Sequence, residues 1–188
     1  MKNIFLIVAV GALALFSGCA STCTRQEPRT VYLTDSCGFD PSKLVESLLD
    51  FKGTRVQAVA GQWKDNVFSA SSVIKGDGEK FTAVFSAPQM RLLTITVSRP
   101  CKLEWKKAPV LPDALQPEYA LVDIAFAVLD ADTLKKSLGD GFSVEDDGCT
   151  RRISRNGRIL AVFERLEDGE FKYSNPVRGY SYTIKDLS

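Results

Sequence analysis

The sequence predicts an α+β fold: an antiparallel, incomplete (unclosed) β-barrel with helices plugging its concave face. Three observations predict it. Five successive segments between residues 55 and 107 alternate apolar and polar side chains, separated by short breakers, as in an antiparallel meander. A nearly all-apolar helical stretch follows at 118–129 and has to be covered on most sides. About four more strands close the chain, and a sheet of that size curls rather than lying flat.

The chain opens MKNIFLIVAVGALALFSGCA. Lys2 is its only charge, and residues 4–16 form an unbroken run of apolar residues and Gly, too short for a comfortable membrane span. Ser17-Gly18-Cys19 ends the run and resembles the bacterial lipobox, with Phe16 where Leu is usual. That resemblance implies a signal peptide of residues 1–18, lipidation at Cys19 (palmitate-type acyl chains), and, with Ala20 rather than Asp second, sorting to the outer membrane. An ordinary secretory signal cut after Ala14 or Ala20 is the alternative. Residues 19–30 read as a polar tether carrying Pro28, and 31–188 as a single domain.

Within the domain, Val31-Tyr32-Leu33 suits a short strand. Asp40 followed by Pro41 starts a helix, with Leu44, Val45, Leu48 and Leu49 at helical spacing and Gly53 after it. Strands follow at 55–63, 67–74, 80–86, 92–99 and 102–107; Leu93, Ile95 and Val97 alternate most cleanly. Helices are expected at 118–129 and 133–138, the second capped by Asp130 or Asp132 and stopped by Gly139. Strands resume at 142–145, 149–155, 158–165 and 180–185. Asn156-Gly157 marks a type I′ hairpin.

Composition excludes several function classes. The 188 residues are 45% hydrophobic and 25% charged, with a net charge of +1 and no His. Near-neutral charge gives no broad field for nucleic acid or an anionic bilayer. Without His there is no Ser-His-Asp or Cys-His pair, no His-containing zinc site and no imidazole switch. No cofactor or metal is expected. Setting Cys19 aside, Cys23, Cys37, Cys101 and Cys149 remain, an even number in an exported chain. Two disulfides are expected, with Cys101 joined to Cys149 or to Cys37.

Leu111-Pro112, the helical segment after it, Arg151-Arg152-Ile153, Asn156-Gly157-Arg158-Ile159-Leu160 and Arg178-Gly179-Tyr180-Ser181-Tyr182-Thr183-Ile184 together resemble the bacterial lipoprotein family DUF3261. The resemblance spans about 55–187. Two features depart from the family pattern: Leu129-Asp130 stands where an aromatic-Pro step is expected, and the extra cysteines are not typical. The resemblance implies a fold similar to the periplasmic lipoprotein carriers LolA and LolB, holding acyl chains in an apolar cavity. It also implies the company of lipid or aryl polyene synthesis and an envelope export protein, and it carries over no catalytic residue.

The expected function is therefore an outer-membrane-anchored lipoprotein facing the periplasm. It would bind a lipid, acylated or polyene-type molecule during transfer or assembly at the outer membrane. Phe81, Phe85, Leu93, Ile95, Val97, Leu103, Trp105, Val122, Phe126, Ile159 and Phe163 are the candidates to line the cavity, since they fall on apolar faces that otherwise simply fill a core. Lys102, Lys106, Lys107, Arg151, Arg152, Arg155 and Arg158 could receive an anionic headgroup or form a solvated edge. The alternative is a non-catalytic interaction or scaffold lipoprotein serving an envelope synthesis or export machine. No enzyme is expected: Asp130, Asp132, Asp140, Glu145, Asp146 and Asp147 are dense, but each sits at a cap or turn where Asp has a local role. Asp123, inside the apolar helix, is either solvent-facing or the buried partner of an Arg.

Overall fold

The computed structural model describes residues 24–26, 30–34, 37–63, 66–111 and 115–187; the expected signal segment, Cys19 and Cys23 lie outside them. The elements run β1 (Thr24–Gln26), β2 (Val31–Thr34), β3 (Cys37–Phe39), α1 (Ser42–Leu48), β4 (Lys52–Trp63), β5 (Asn66–Asp77), β6 (Lys80–Ala87), β7 (Met90–Ser98) and β8 (Lys102–Lys107). Then come α2 (Pro117–Val128), α3 (Ala131–Leu138), β9 (Phe142–Asp146), β10 (Thr150–Arg155), β11 (Arg158–Arg165), β12 (Phe171–Asn175) and β13 (Tyr180–Asp186).

Eleven strands form one antiparallel sheet in the order β1-β8-β7-β6-β5-β4-β13-β12-β11-β10-β9, and β2 pairs only with β3. The sheet is a meander folded back on itself: β13 returns to pair with β4 and joins the two halves. It does not close, because β1 and β9 remain at opposite edges. The predicted strands are present with ends shifted by a few residues, and 102–107 and 158–165 match in full. The Asn156-Gly157 turn has both residues at positive φ, 50° and 78°, as a type I′ turn requires.

Alternation decides which face is covered. Phe81, Ala83, Ile95, Val97 and Leu103 lie side by side across β6, β7 and β8 and are fully buried. Leu121, Val122, Ala125 and Phe126 of α2 and Leu44, Val45 and Leu48 of α1 belong to the same core. Arg151 of β10 bonds the C-terminal end of α2, and α2 also touches β7. Those strands lie seven steps apart in the sheet, about 34 Å if flat, whereas a twelve-residue helix is about 18 Å long. The sheet therefore bends around α2. Among the described residues no helix is long and apolar enough to cross a membrane.

Several expectations are corrected. The first helix ends at Leu48, and Gly53 lies inside β4 at φ 122°, not at a helix end. β1 falls within the expected tether and adds to the edge of β8, while β3 and β12 are strands too short for their alternation to stand out. Ile159 does not face the interior. A bulge between β10 and β11 puts Leu160 opposite no partner, so Leu160 and Ala161 both point inward and Ile159 turns out, 42% exposed. Cys101 and Cys149 are free thiols, in the β7–β8 and β9–β10 turns near opposite ends of the strand order, so they do not form the expected disulfide with each other. The Cys101 thiol instead faces the Ser42 carbonyl at 3.7 Å.

Candidate functional site

One row of directly paired positions crosses the inner face: Phe68, Gly61, Tyr182, Tyr173, Phe163, Arg151 and Asp146. Aromatic rings occupy most of it. Phe163 and Tyr173 lie 4.6 Å apart between centroids, and Tyr173 and Tyr182 lie 4.7 Å apart. Tyr180 stacks parallel to Tyr182 at 6.3 Å. Gly61 leaves the space for this: a Cβ there would come within 2.5 Å of the Ser181 carbonyl and 2.8 Å of the Phe68 ring. Cross-strand aromatic neighbours of this kind add stability beyond area burial alone.

Asp123 of α2 drops onto this row. Tyr173 donates its phenol to Oδ1 at 2.5 Å, and Tyr180 donates to Oδ2. Asn175 donates to both phenol oxygens at 3.4 Å and accepts the Arg178 backbone N–H at 3.0 Å, tying the β12–β13 turn to the same cluster. The Arg178 guanidinium lies over the Tyr119 ring and bonds the Tyr32 carbonyl. Burial pushes the Asp123 carboxyl up to about 6, against the opposing pull of the two tyrosines and Arg178. Burial, and then the carboxyl's charge, pushes Tyr173, Tyr180 and Tyr182 above the ordinary phenol value. Asp123 is thus neither solvent-facing nor directly bonded to an Arg. It is a carboxyl held by two phenols, and both its oxygens are occupied.

The family model described as a protein of unknown function, DUF3261, matches residues 54–188. The chain belongs to the DUF3261 family. No curated protein sequence matches it. Among solved structures, this DUF3261 chain is similar to a DUF1329 family protein from Desulfovibrio piger ATCC 29098. The two share 10% identity over 79% of this chain and 92% of the other, with a TM-score of 0.35.

Eight of the eleven expected cavity residues in this DUF3261 protein are core: Phe81, Leu93, Ile95, Val97, Leu103, Val122, Phe126 and Phe163 are each at most 7% exposed. Phe85 and Trp105 are half-buried on the inner face, and Ile159 is outside. Trp105 Nε1 and Thr94 Oγ1 are buried polar atoms without a hydrogen-bond partner among the described residues. The space directly beneath α2 is filled by the protein's own side chains. The inner face stays half-open beyond α2, around Phe85, Ala70, Gly61, Phe68 and Tyr182. A shallow depression of about 290 Å³ adjoins the Asp123 cluster and is lined by Asn175, Pro176 and Tyr180 with Gln62, Ser174 and Ser181, and a second of about 300 Å³, mostly polar, lies elsewhere between Lys43, Glu46 and Arg99.

The expected basic rim separates into distinct roles. Arg151 Nη1 takes the Phe126 and Leu129 carbonyls at 2.8 and 2.7 Å, while its Nε and Nη2 meet Asp146 Oδ2, each at 2.7 Å. It supplies the positive charge that the last turn of α2 lacks. Arg155 lies over Phe142, and Lys102 pairs with Glu104. Lys106, Arg152 and Arg158 are exposed.

The acidic candidates are equally local. Asp130 caps α3 through the Thr133 N–H and hydroxyl. Asp147 accepts the Cys149 and Thr150 N–H groups. Burial works to raise the Asp146 carboxyl, but the Gly148 N–H and Arg151 outweigh it and hold it low. Asp132, Asp140 and Glu145 are exposed. No group of three or more metal-ligating side chains occurs among the described residues.

Tyr173, Tyr180, Tyr182, Asn175 and Arg178 were not expected as site residues. Their signal is in the sequence: Phe171-x-Tyr173 and Tyr180-x-Tyr182 alternate on either side of a Pro176…Gly179 turn, which is a hairpin pattern.

Proposed function

We propose that this protein is an outer-membrane-anchored lipoprotein, held by acyl chains on Cys19, that receives an apolar chain along the half-open aromatic part of its inner face. The ligand class is a lipid, acylated or polyene-type molecule in transfer or assembly at the outer membrane, bound with a LolA/LolB-like use of an unclosed sheet. One observation carries this reading: a curved sheet whose inner face is sealed under α2 leaves Phe68, Phe85 and Tyr182 only half-covered beside it. A flat aromatic floor suits an extended hydrocarbon or conjugated chain, and burial of each CH₂ contributes about 0.8 kcal/mol.

The test uses the full chain purified from membranes. Its organic extract is analysed by mass spectrometry, and the delipidated protein is titrated with cis-parinaric acid, a fluorescent polyene acid. Saturable binding that is lost in Ala70→Phe, where a ring would fill the open floor, supports the reading. An empty extract and no binding would overturn it. A second reading, a non-catalytic interaction lipoprotein serving an envelope synthesis or export machine, is favoured by the filled interior beneath α2. It becomes the better account if the probe does not bind and the chain recovers an envelope protein instead.

A further inference from the structure

The register of the sheet fixes which end of the domain faces the anchor. β1 runs antiparallel to β8, with Thr24 opposite Trp105 and Gln26 opposite Leu103. Followed backward, the chain therefore leaves Thr24 toward the Lys106–Lys107 end of β8. Cys19 lies five residues before Thr24, so at full extension it reaches at most about 17 Å from it.

The same end collects exposed apolar side chains. Thr24, Trp105, Ile95, Ala83 and Ile74 share one level across the sheet. Along β7, Met90 lies five residues from that level toward this end, roughly 15 Å. Along β5, Val67 lies seven residues from it, about 23 Å. Val110 leaves β8 in the same direction. Val67, Val110 and Met90 are 82%, 65% and 43% exposed. Arg91, also exposed, adjoins Met90. The opposite end, where the Leu187 N–H bonds Val56, also exposes Leu187 and Val73 near Lys52, Lys75 and Lys80, but there the exposed carboxylates Asp77, Glu79 and Asp186 stand among the cations.

We infer that this end of the sheet is a docking face for an anionic phospholipid surface, with the β4–β5 hairpin dipping into the headgroup layer. The levels agree. A leash that reaches at most about 17 Å from Thr24 holds the bilayer surface no farther out than about the level of Met90, which leaves Val67 several ångströms deeper, as an interfacial apolar contact requires. Arg91, the neighbour of Met90, then meets the phosphates. The inference rests on the Cys19 anchor of the proposed function. It adds an orientation in which the open aromatic floor, continuous with the hairpin through Phe68, faces the membrane from which an apolar chain would come.

The experiment uses the full lipidated chain in vesicles of seven parts phosphatidylcholine to three of phosphatidylglycerol. Val67→Cys, Val110→Cys and Leu187→Cys, each in a Cys149→Ser background, carry a nitroxide, with the unsubstituted background chain as the blank. Collision with oxygen and with an aqueous nickel complex is read by power saturation. The expected result is a several-fold drop in nickel collision at residues 67 and 110 on going from detergent to vesicles, with none at 187. Arg91→Glu should reverse much of that drop. Aqueous behaviour at all three sites in a chain whose Cys19 mass shows acylation overturns the docking face and leaves the anchor standing. An unmodified Cys19 overturns both. Shielding of residue 67 without vesicles assigns the face to a second copy of the chain, and overturns the lipid surface.

Discussion

Replacing Asp123 with Asn should remove one identifiable component of the pH dependence of stability. The carboxyl is buried between Tyr173 and Tyr180, and its folded value stands at about 6 against an ordinary 3.8. In the folded state the proton is held more tightly, so between these values the folded chain binds more protons than the unfolded one. Stability from this group is full below pH 3.8 and falls as pH rises through 6. A shift of about two units at 1.36 kcal/mol each makes the loss about 3 kcal/mol, complete above roughly pH 7.

Asp40, Asp77, Asp130, Asp146 and Asp147 have lowered values, so they act in the opposite sense and only at lower pH. They are common to both proteins and cancel in the difference. Asn keeps one acceptor for one phenol and places an amide against the other, so the fold is retained without a charge to bury. Urea unfolding followed by circular dichroism from pH 4 to pH 8, at constant ionic strength, measures the difference. The wild type should lose about 2.5 kcal/mol relative to Asp123→Asn across that range, the rest of the effect lying below pH 4. A difference that stays constant with pH would refute the assignment of a desolvated, protonated carboxyl beneath α2.

Other outcomes follow from single contacts. Tyr180→Phe removes one donor that holds the Asp123 value down, so the midpoint of the same difference profile should move above 6. Arg151→Met frees two α2 carbonyls and leaves Asp146 unpaired; a loss of about 3 kcal/mol in urea unfolding is expected, and a neutral result would mean α2 is held by packing alone. The bulge predicts opposite outcomes at adjacent positions: Leu160→Ala should cost roughly 2–4 kcal/mol, while Ile159→Ser should stay within about 0.5 kcal/mol. Asp130→Ala deletes the α3 cap and should cost about 1 kcal/mol, read as a fall in thermal midpoint.

Much of the sheet was legible because one of its faces is buried. Leu93, Ile95 and Val97 must alternate with Thr94 and Thr96 if only one side meets the helices, and period two then identifies the strand. Asn156-Gly157 fixed a hairpin because both residues tolerate positive φ. What escaped depended on pairing with something remote. β1 is a strand only because β8 offers it an edge, and nothing in Thr24–Gln26 alone announces that. The bulge that turns Ile159 outward is a property of two strands together, so a single-strand alternation places it on the wrong side. The site was least legible for the same reason. Asp123 looked anomalous in an apolar helix, but its partners Tyr173 and Tyr180 sit 50 and 57 residues away, on strands whose aromatic alternation read as ordinary sheet packing.

The three residues of β1 also act as a seal. They satisfy the backbone edge of β8, next to Leu103 and Trp105, and they are the part of the sheet nearest in sequence to Cys19, the proposed lipid attachment. Tension between bilayer and domain would be felt first at these few ladder bonds. Once unzipped, they leave β8 as an open template. In a crowded two-dimensional layer of identical molecules, the nearest replacement is a neighbour's own β1. With Cys19 acylated as proposed, the same short strand would hold each copy close to its membrane and set how readily copies exchange ends.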